Sequence, residues 1–453
     1  MHSADIPFLS IAAVRTAMAA GDLTPVDLVT VLANRATELA HLNVFVDRWH
    51  DSALVQASVQ AAGGFDATRP LWGVPLAHKD MFARPDRQPG CGVATELPEA
   101  GLVPSPVLAR IADAGAIDLG PLALAEFAAG LTGTNAIYGN VGNPWDTARC
   151  TGASSSGSAA AVAAGLAYAS LGTDTGASIR VPASFCGVVG LMPSHGAIST
   201  DGCFPLSWSL DRTGVLARNI ADCAEVFDVA RGAIPTPVEQ VVALTIGLPK
   251  SYYTDGLDPE VAEAYAAAAR TLEAAGHRLR EIDVIETSAM RAINRALMRS
   301  EASAIHMRLI RQRPELYSLP VRNFISGGEG IFAVDYIDAL RMRTRLLQDS
   351  LTTTYAHVDL ILTPTVFCTA PRYDAIADAA NPQVWQRVTM LAHFTQPASL
   401  LGLPALSVPY AMSSGGLPVG MQLIGPPGSE QRLLRAGMSL EAHFAALGQR
   451  PTC

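Results

Sequence analysis

The stretch that decides the reading is GTDTGASIRVPASFCGVVGLMPS, residues 172–194. A run of small residues, Thr173-Asp-Thr-Gly-Ala, ends in Ser178 and gives way to a helix-like turn and then a strand. Small residues let a carbonyl substrate approach the backbone closely, which is what an exposed nucleophile needs. The backbone N–H groups of Thr175, Gly176, Ala177 and Ser178 could then point at a developing oxyanion, usually the largest electrostatic contribution in acyl transfer. A serine is a poor nucleophile until a base takes its proton. His78 and His195 are the histidine candidates for that base, but neither comes with a readable aspartate partner.

Upstream, TGASSSGSAAAVAAG (151–165) is a second Ser/Gly loop, entering an alanine-rich helix. Loops of this kind can aim N–H groups at a phosphate. That reading requires Gly-Lys-Ser/Thr at the helix start, whereas Gly157 is followed by Ser158 and Ala159. Phosphate binding fails on this point. Further upstream, GVPLAHKDMF (73–82) reads as a short strand, Gly73 to His78, with Lys79-Asp80 at or just past its end.

These segments together resemble the amidase signature family. The two serine loops stand in the family's order, Ser154 and Ser178 are 24 residues apart as its two catalytic serines are, and an Ile-Arg-x-Pro and a Phe-Cys-Gly turn follow. GVPLAHKDMF resembles its lysine-bearing segment, and TNAIYGNVGNPWD (134–146) its Asn-Pro loop. LTPTV (362–366), FTQPASLLGLPALSVP (394–409) and GLPVGMQLIG (416–425) extend the match. The resemblance implies an acyl-enzyme on Ser178, with Ser154 as a bridging serine in a cis peptide and Lys79 as general base. It also implies an oxyanion hole at residues 175–178, and support of the loops from Asp174, Arg180 and Ser155.

The chemistry is coherent. A lysine with the ordinary pKa of about 10.4 is protonated at neutral pH, but burial disfavours the ammonium and can free its lone pair. Ala153, Ser156 and Ala177 replace glycines common in the family, and the two alanines add methyl groups near the catalytic backbone. Ala128, Ala129, Gly130 and Leu131 correspond to substrate-facing positions in relatives, where small residues would leave room for a bulky group.

The family hydrolyses amides, anilides, carbamates and urea derivatives, and one branch serves tRNA-dependent amidation. That branch tends to carry an aspartate where Ala392 stands, and a basic pair with a glycine-threonine turn that residues 324–343 lack. The expectation is therefore a stand-alone hydrolase acting on a small amide-type substrate with water. Its rivals are an A-subunit-like glutamine amidohydrolase, an esterase or urethanase, and a non-catalytic binding protein. The resemblance implies no cofactor and no metal.

Composition bounds the rest. Hydrophobic residues make up 49% of the 453 and charged residues 16%, which suits a large buried α/β core. The net charge of −9 argues against nucleic-acid binding. Seven scattered cysteines without a Cys-x-x-Cys pair read as free thiols in a reducing compartment. The N-terminus shows no secretory pattern, and the most apolar run, Ala159 to Leu171, falls short of the roughly 20 residues a membrane helix needs. A cytoplasmic protein without membrane contact, and a possible homodimer, are expected.

The anticipated architecture is one α/β/α sandwich domain around a large mixed sheet. It has a helical segment over 8–62, a catalytic core over 70–230, and further helices and strands over 240–450. Alanine-rich helices are expected to alternate with strands from Asp258 to about 350. Strands are expected at Val242–Gly247 and Val358–Leu362, the latter ended by Thr363-Pro364-Thr365. A hairpin of Leu406–Pro409 with Val419–Ile424 and a final helix over Glu430–Leu447 complete the chain.

Overall fold

The computed structural model describes residues 4–47, 49–93, 97, 101–238, 242–284, 288–378, 381–451 and 453. Ten strands build one sheet: β1 (Pro75–Lys79), β2 (Ile117–Leu122), β3 (Ala169–Asp174), β4 (Val189–Met192), β5 (Arg212–Ala217), β6 (Thr245–Pro249), β7 (Arg278–Ile282), β8 (Leu360–Pro364), β9 (Ala405–Met412) and β10 (Pro418–Ile424). Their order is β2-β1-β3-β5-β4-β9-β10-β8-β6-β7, so strands from 70–230 and from 240–450 hydrogen-bond into the same sheet. The outer triplets, β2-β1-β3 and β8-β6-β7, are parallel, and every pairing between them is antiparallel. The mixed α/β sheet agrees with the expectation.

Helices cover both faces. On β5, Leu216 packs with the helices Ser156–Ala163 and Arg180–Cys186, while its neighbours Val215 and Ala217 join the core under Ile220–Ala230 and Glu430–Ala446. Strand alternation sends successive side chains to opposite layers. The Ser156–Ala163 helix is wholly buried, and its small side chains allow it to lie close to its neighbours. A Cβ on Gly157 would come within 2.5 Å of the Ala123 carbonyl oxygen, so only glycine fits. At the N-terminal end, Thr24 and Asp27 form a reciprocal capping box ahead of the helix Pro25–Glu38, as Thr24-Pro25 signals.

Several boundaries differ from the sequence reading. The helical N-terminal segment is three helices, Ile11–Ala20, Pro25–Glu38 and His50–Gly63, with Phe45 bridging to Leu122 between the last two. Thr173 and Asp174, read as loop, complete β3, because β5 pairs with them at Thr213 and Arg212. The strand expected over 242–247 begins at Thr245 and runs to Pro249. β8 continues through Thr363 to Pro364 instead of ending before them, held by pairing with Gln422 and Met421 of β10.

The expected alternation up to about 350 is not found. After β7 the described chain runs through three helices, Ser288–Gln312, Leu319–Ser326 and Ala333–Asp349. The first packs on each of the other two, and the first and third pack on the helix Gln396–Leu401. The late hairpin forms as β9 and β10, and the last helix spans Glu430–Ala446. All seven cysteines are free, five of them buried. Among the described residues no helix is long and apolar enough to cross a membrane.

Gly157→Ala is expected to destabilise the fold by about 1–3 kcal/mol through overpacking against main chain that cannot yield. Calorimetry would show this as a lowered unfolding midpoint.

Candidate active site

Lys79 is the last residue of β1, flanked by β2 and β3, and it has no exposed surface. Its Nζ lies 2.7 Å from Ser154 Oγ and 2.7 Å from Thr173 Oγ1. Burial penalises the ammonium and brings the amine down to about 8, against the opposing pull of Asp211 and Asp174. Strand alternation turns His78 away, with Nδ1 3.2 Å from the Lys79 carbonyl oxygen and Nε2 3.6 Å from the Asp118 carboxylate. His195 is exposed. Among the described residues neither histidine bonds to a serine.

The two serine loops meet through main chain. The Ala153–Ser154 peptide is cis. Ser155 N–H donates to the Ser178 carbonyl at 3.1 Å, and Ser155 Oγ to the Thr173 carbonyl at 3.1 Å. Gly152 has φ +72°, and a Cβ there would sit 2.9 Å from Pro182 N, so the approach of the loops excludes any side chain. Ser178 keeps 5% of its surface, and its Oγ has no hydrogen-bond partner among the described residues. The link between Lys79 and Ser154 is therefore formed, whereas that between Ser154 and Ser178 is not. The N–H groups of Gly176, Ala177 and Ser178 also lack acceptors among the described residues, which leaves them free for a ligand oxygen.

Asp174 and Arg180 are both fully buried and form a two-pronged pair, Nε–Oδ2 at 3.1 Å and Nη2–Oδ1 at 3.0 Å. Burial alone would raise the Asp174 carboxyl, but the adjoining guanidinium holds it below its ordinary value. Asp174 also accepts the Ile179 N–H at 3.0 Å. Arg180 continues to the carbonyls of Thr395 and Gly176, to Gln422 Oε1 and to Ser399 Oγ. One guanidinium thus ties the turn of Ser178 to β10 and to the helix Gln396–Leu401.

Thr173 and Asp211 escaped the sequence reading. Thr173 stands in the quoted stretch, but only the pairing of β1 with β3 carries it to Lys79. Asp211 accepts Thr175 Oγ1 at 2.6 Å, and burial raises its carboxyl to about 6. The run Ser209-Leu-Asp-Arg-Thr-Gly214 held no recognisable signal for it.

A cavity of about 60 Å³ opens beside this centre, with Met81, Ala128, Thr173, Thr175, Phe204 and Asp211 among its walls. The structure divides the quartet 128–131. Ala128 lines the cavity. Ala129 packs against the cluster that includes Phe127 and Phe204, and Leu131 against the cluster that includes Ala177 and Phe185. Phe127 and Ala128 hold φ of 48° and 59°, a region costly for residues with a side chain and commonly retained where a site needs it. Among the described residues no three His, Cys, Asp or Glu side chains group as a metal site.

A mixed sheet that buries a lysine against Ser154, in a loop joined to the turn of Ser178, fits the amidase class of enzymes acting on C–N bonds. The chain belongs to the amidase signature family, and the Amidase family model matches residues 27–434. The A subunit of glutamyl-tRNA(Gln) amidotransferase from Synechococcus sp. (strain CC9605) is 35% identical over 98% of both chains. That of Novosphingobium aromaticivorans is also 35% identical, over 97% of this chain and 98% of its own. A crystal structure of an amidase superposes with TM-score 0.88 at 31% identity, covering 96% of this chain and 99% of that one. The peptide amidase of Stenotrophomonas maltophilia gives TM-score 0.81 at 26% identity over 98% of each.

Arg180→Ala would strand the Asp174 carboxylate in the interior. The expected loss is about 3–5 kcal/mol, the cost of breaking a buried pair by removing one partner, measurable by denaturant titration.

Proposed function

We propose that the chain hydrolyses the C–N bond of an amide-type substrate (amide, anilide, carbamate or urea derivative) through an acyl-enzyme on Ser178. The observation that carries this reading is the Lys79 amine, sealed from water and 2.7 Å from Ser154 Oγ. A neutral amine has two N–H donors and one lone pair. Donation to Thr173 Oγ1 orients the amine and leaves the lone pair for the Ser154 proton.

Ser154 then takes the proton of Ser178 as Ser178 Oγ attacks the substrate carbonyl. The oxyanion meets the N–H groups of residues 175–178. Collapse breaks the C–N bond, and the relay returns its proton to the leaving amine. Water, activated by the same relay, releases the acid. Substrate binding would bring Ser178 Oγ into line with Ser154, since catalytic hydrogen bonds are often long before the substrate arrives. An ester would serve the same centre, with an easier leaving group.

The amidotransferase relatives favour a second reading, in which the chain acts as an A-like subunit that frees ammonia from glutamine within a complex. Ala392 and the 324–343 segment weigh against it. So does the cavity wall, whose described residues include Asp211 and no Lys or Arg to receive glutamine's α-carboxylate. Turnover of simple amides by the purified single chain would separate the two.

Ser178→Ala is expected to abolish both turnover and labelling by a fluorophosphonate, and Lys79→Ala to lower kcat by about 10²–10⁴-fold. The base must be unprotonated, so kcat/KM should rise with pH through about 8 and fall tenfold per unit below it. A profile flat between pH 6 and 9 would count against Lys79 as the base.

A further inference from the structure

The mechanism leaves unused a turn held by two carboxylates. Asp211 Oδ2 accepts the N–H groups of Leu206 and Ser207 at 2.8 and 2.9 Å, while Oδ1 takes Thr175 Oγ1 at 2.6 Å. Glu301, fully buried on the helix Ser288–Gln312, accepts Ser207 Oγ at 2.6 Å, Ser209 N–H at 3.0 Å and Tyr336 OH at 2.9 Å. Arg343 adds a bond to the Ser209 carbonyl at 2.9 Å. Residues 206–209 are therefore anchored from three directions.

This turn presents Trp208, which is 52% exposed yet lines the cavity beside Phe204 and Pro205. A large aromatic side chain kept half in water on a rigid support suits contact with a ligand, because little freedom is lost when the ligand binds. Aromatic rings also favour offset or edge-on packing against another ring. Among the described cavity walls Asp211 is the charged side chain, so an anionic group there would meet like charge. Asp211 holds this turn and the oxyanion turn in register, since Thr175 is the first residue of the latter.

We propose that the 206–211 turn is the specificity element of this hydrolase, and that Trp208 selects neutral aryl-bearing amides by packing its indole against the substrate ring. The proposal rests on the amide-hydrolase reading for the location of the reacting carbonyl, and it assigns Asp211 as a positioning residue.

The test measures kcat/KM of the purified full chain on acetamide, acetanilide and benzamide, which carry no ring, a ring on the amine side, or a ring on the acyl side. The wild-type chain is expected to prefer at least one aryl substrate over acetamide. Trp208→Ala should lower that preference about tenfold, mainly through KM, and Trp208→Phe should restore most of it. A preference unchanged within twofold in Trp208→Ala, equal loss in Trp208→Phe and Trp208→Ala, or no wild-type turnover of any of the three would overturn the assignment. Fluorophosphonate labelling of Ser178 in the same samples separates this failure from failure of the hydrolase reading. A labelled chain without aryl preference sinks only the role of Trp208, and an unlabelled chain sinks the nucleophile.

Discussion

The site depends on the exclusion of water from a single amine. Lys79 ends a strand flanked on both sides, so its side chain has only protein to solvate it, and that protein offers hydroxyls in place of a carboxylate. Desolvation of the ammonium therefore outweighs the more distant negative charges, and the amine sheds its proton at about 8, below its ordinary value. A carboxylate in direct contact would reverse this balance and hold the proton on the lysine. The small residues of both serine loops, the parallel pairing of β1 with β3 and the buried alanine-rich helix all serve to bring hydroxyls, without acids, to that amine.

Charge is placed one layer further out. The Asp174–Arg180 pair sits behind the turn of Ser178, and its remaining donors reach Thr395, Ser399 and Gln422. A fully buried pair adds little net stability by itself. Its value lies in geometry, because a planar guanidinium with fixed donors joins three distant parts of the chain. Asp211 and Glu301 do similar work at the 206–209 turn, where Leu206, Ser207 and Ser209 hang from two carboxylates.

Much of this was legible in the sequence, and the reasons are physical. Lys79, Ser154, Ser178, Asp174 and Arg180 sit in short segments of unusual composition, dense in glycine, serine and small residues that an ordinary loop has no need of. The Thr24 cap and the β9–β10 hairpin were legible because their signals are local. What escaped depended on distant pairing. Thr173 reads as loop until β5 pairs with it, and Asp211 gains its meaning only when its turn folds against Thr175. The alternation expected beyond β7 failed because the helices that follow it pack against one another and return no strand to the sheet before β8. Ala129 and Leu131 pack against neighbouring clusters, and residue type alone did not reveal which way they face.

The approach of Gly152 to Pro182, together with the bond from Ser155 N–H to the Ser178 carbonyl, has a consequence for engineering. Neither turn can be transplanted or lengthened alone, since each supplies the wall against which the other is shaped. A designer who wants this chemistry on another scaffold must move the block from Lys79 to β4 as a unit. Diversity is better sought in the outer rim, where residues can change without disturbing the inner joint.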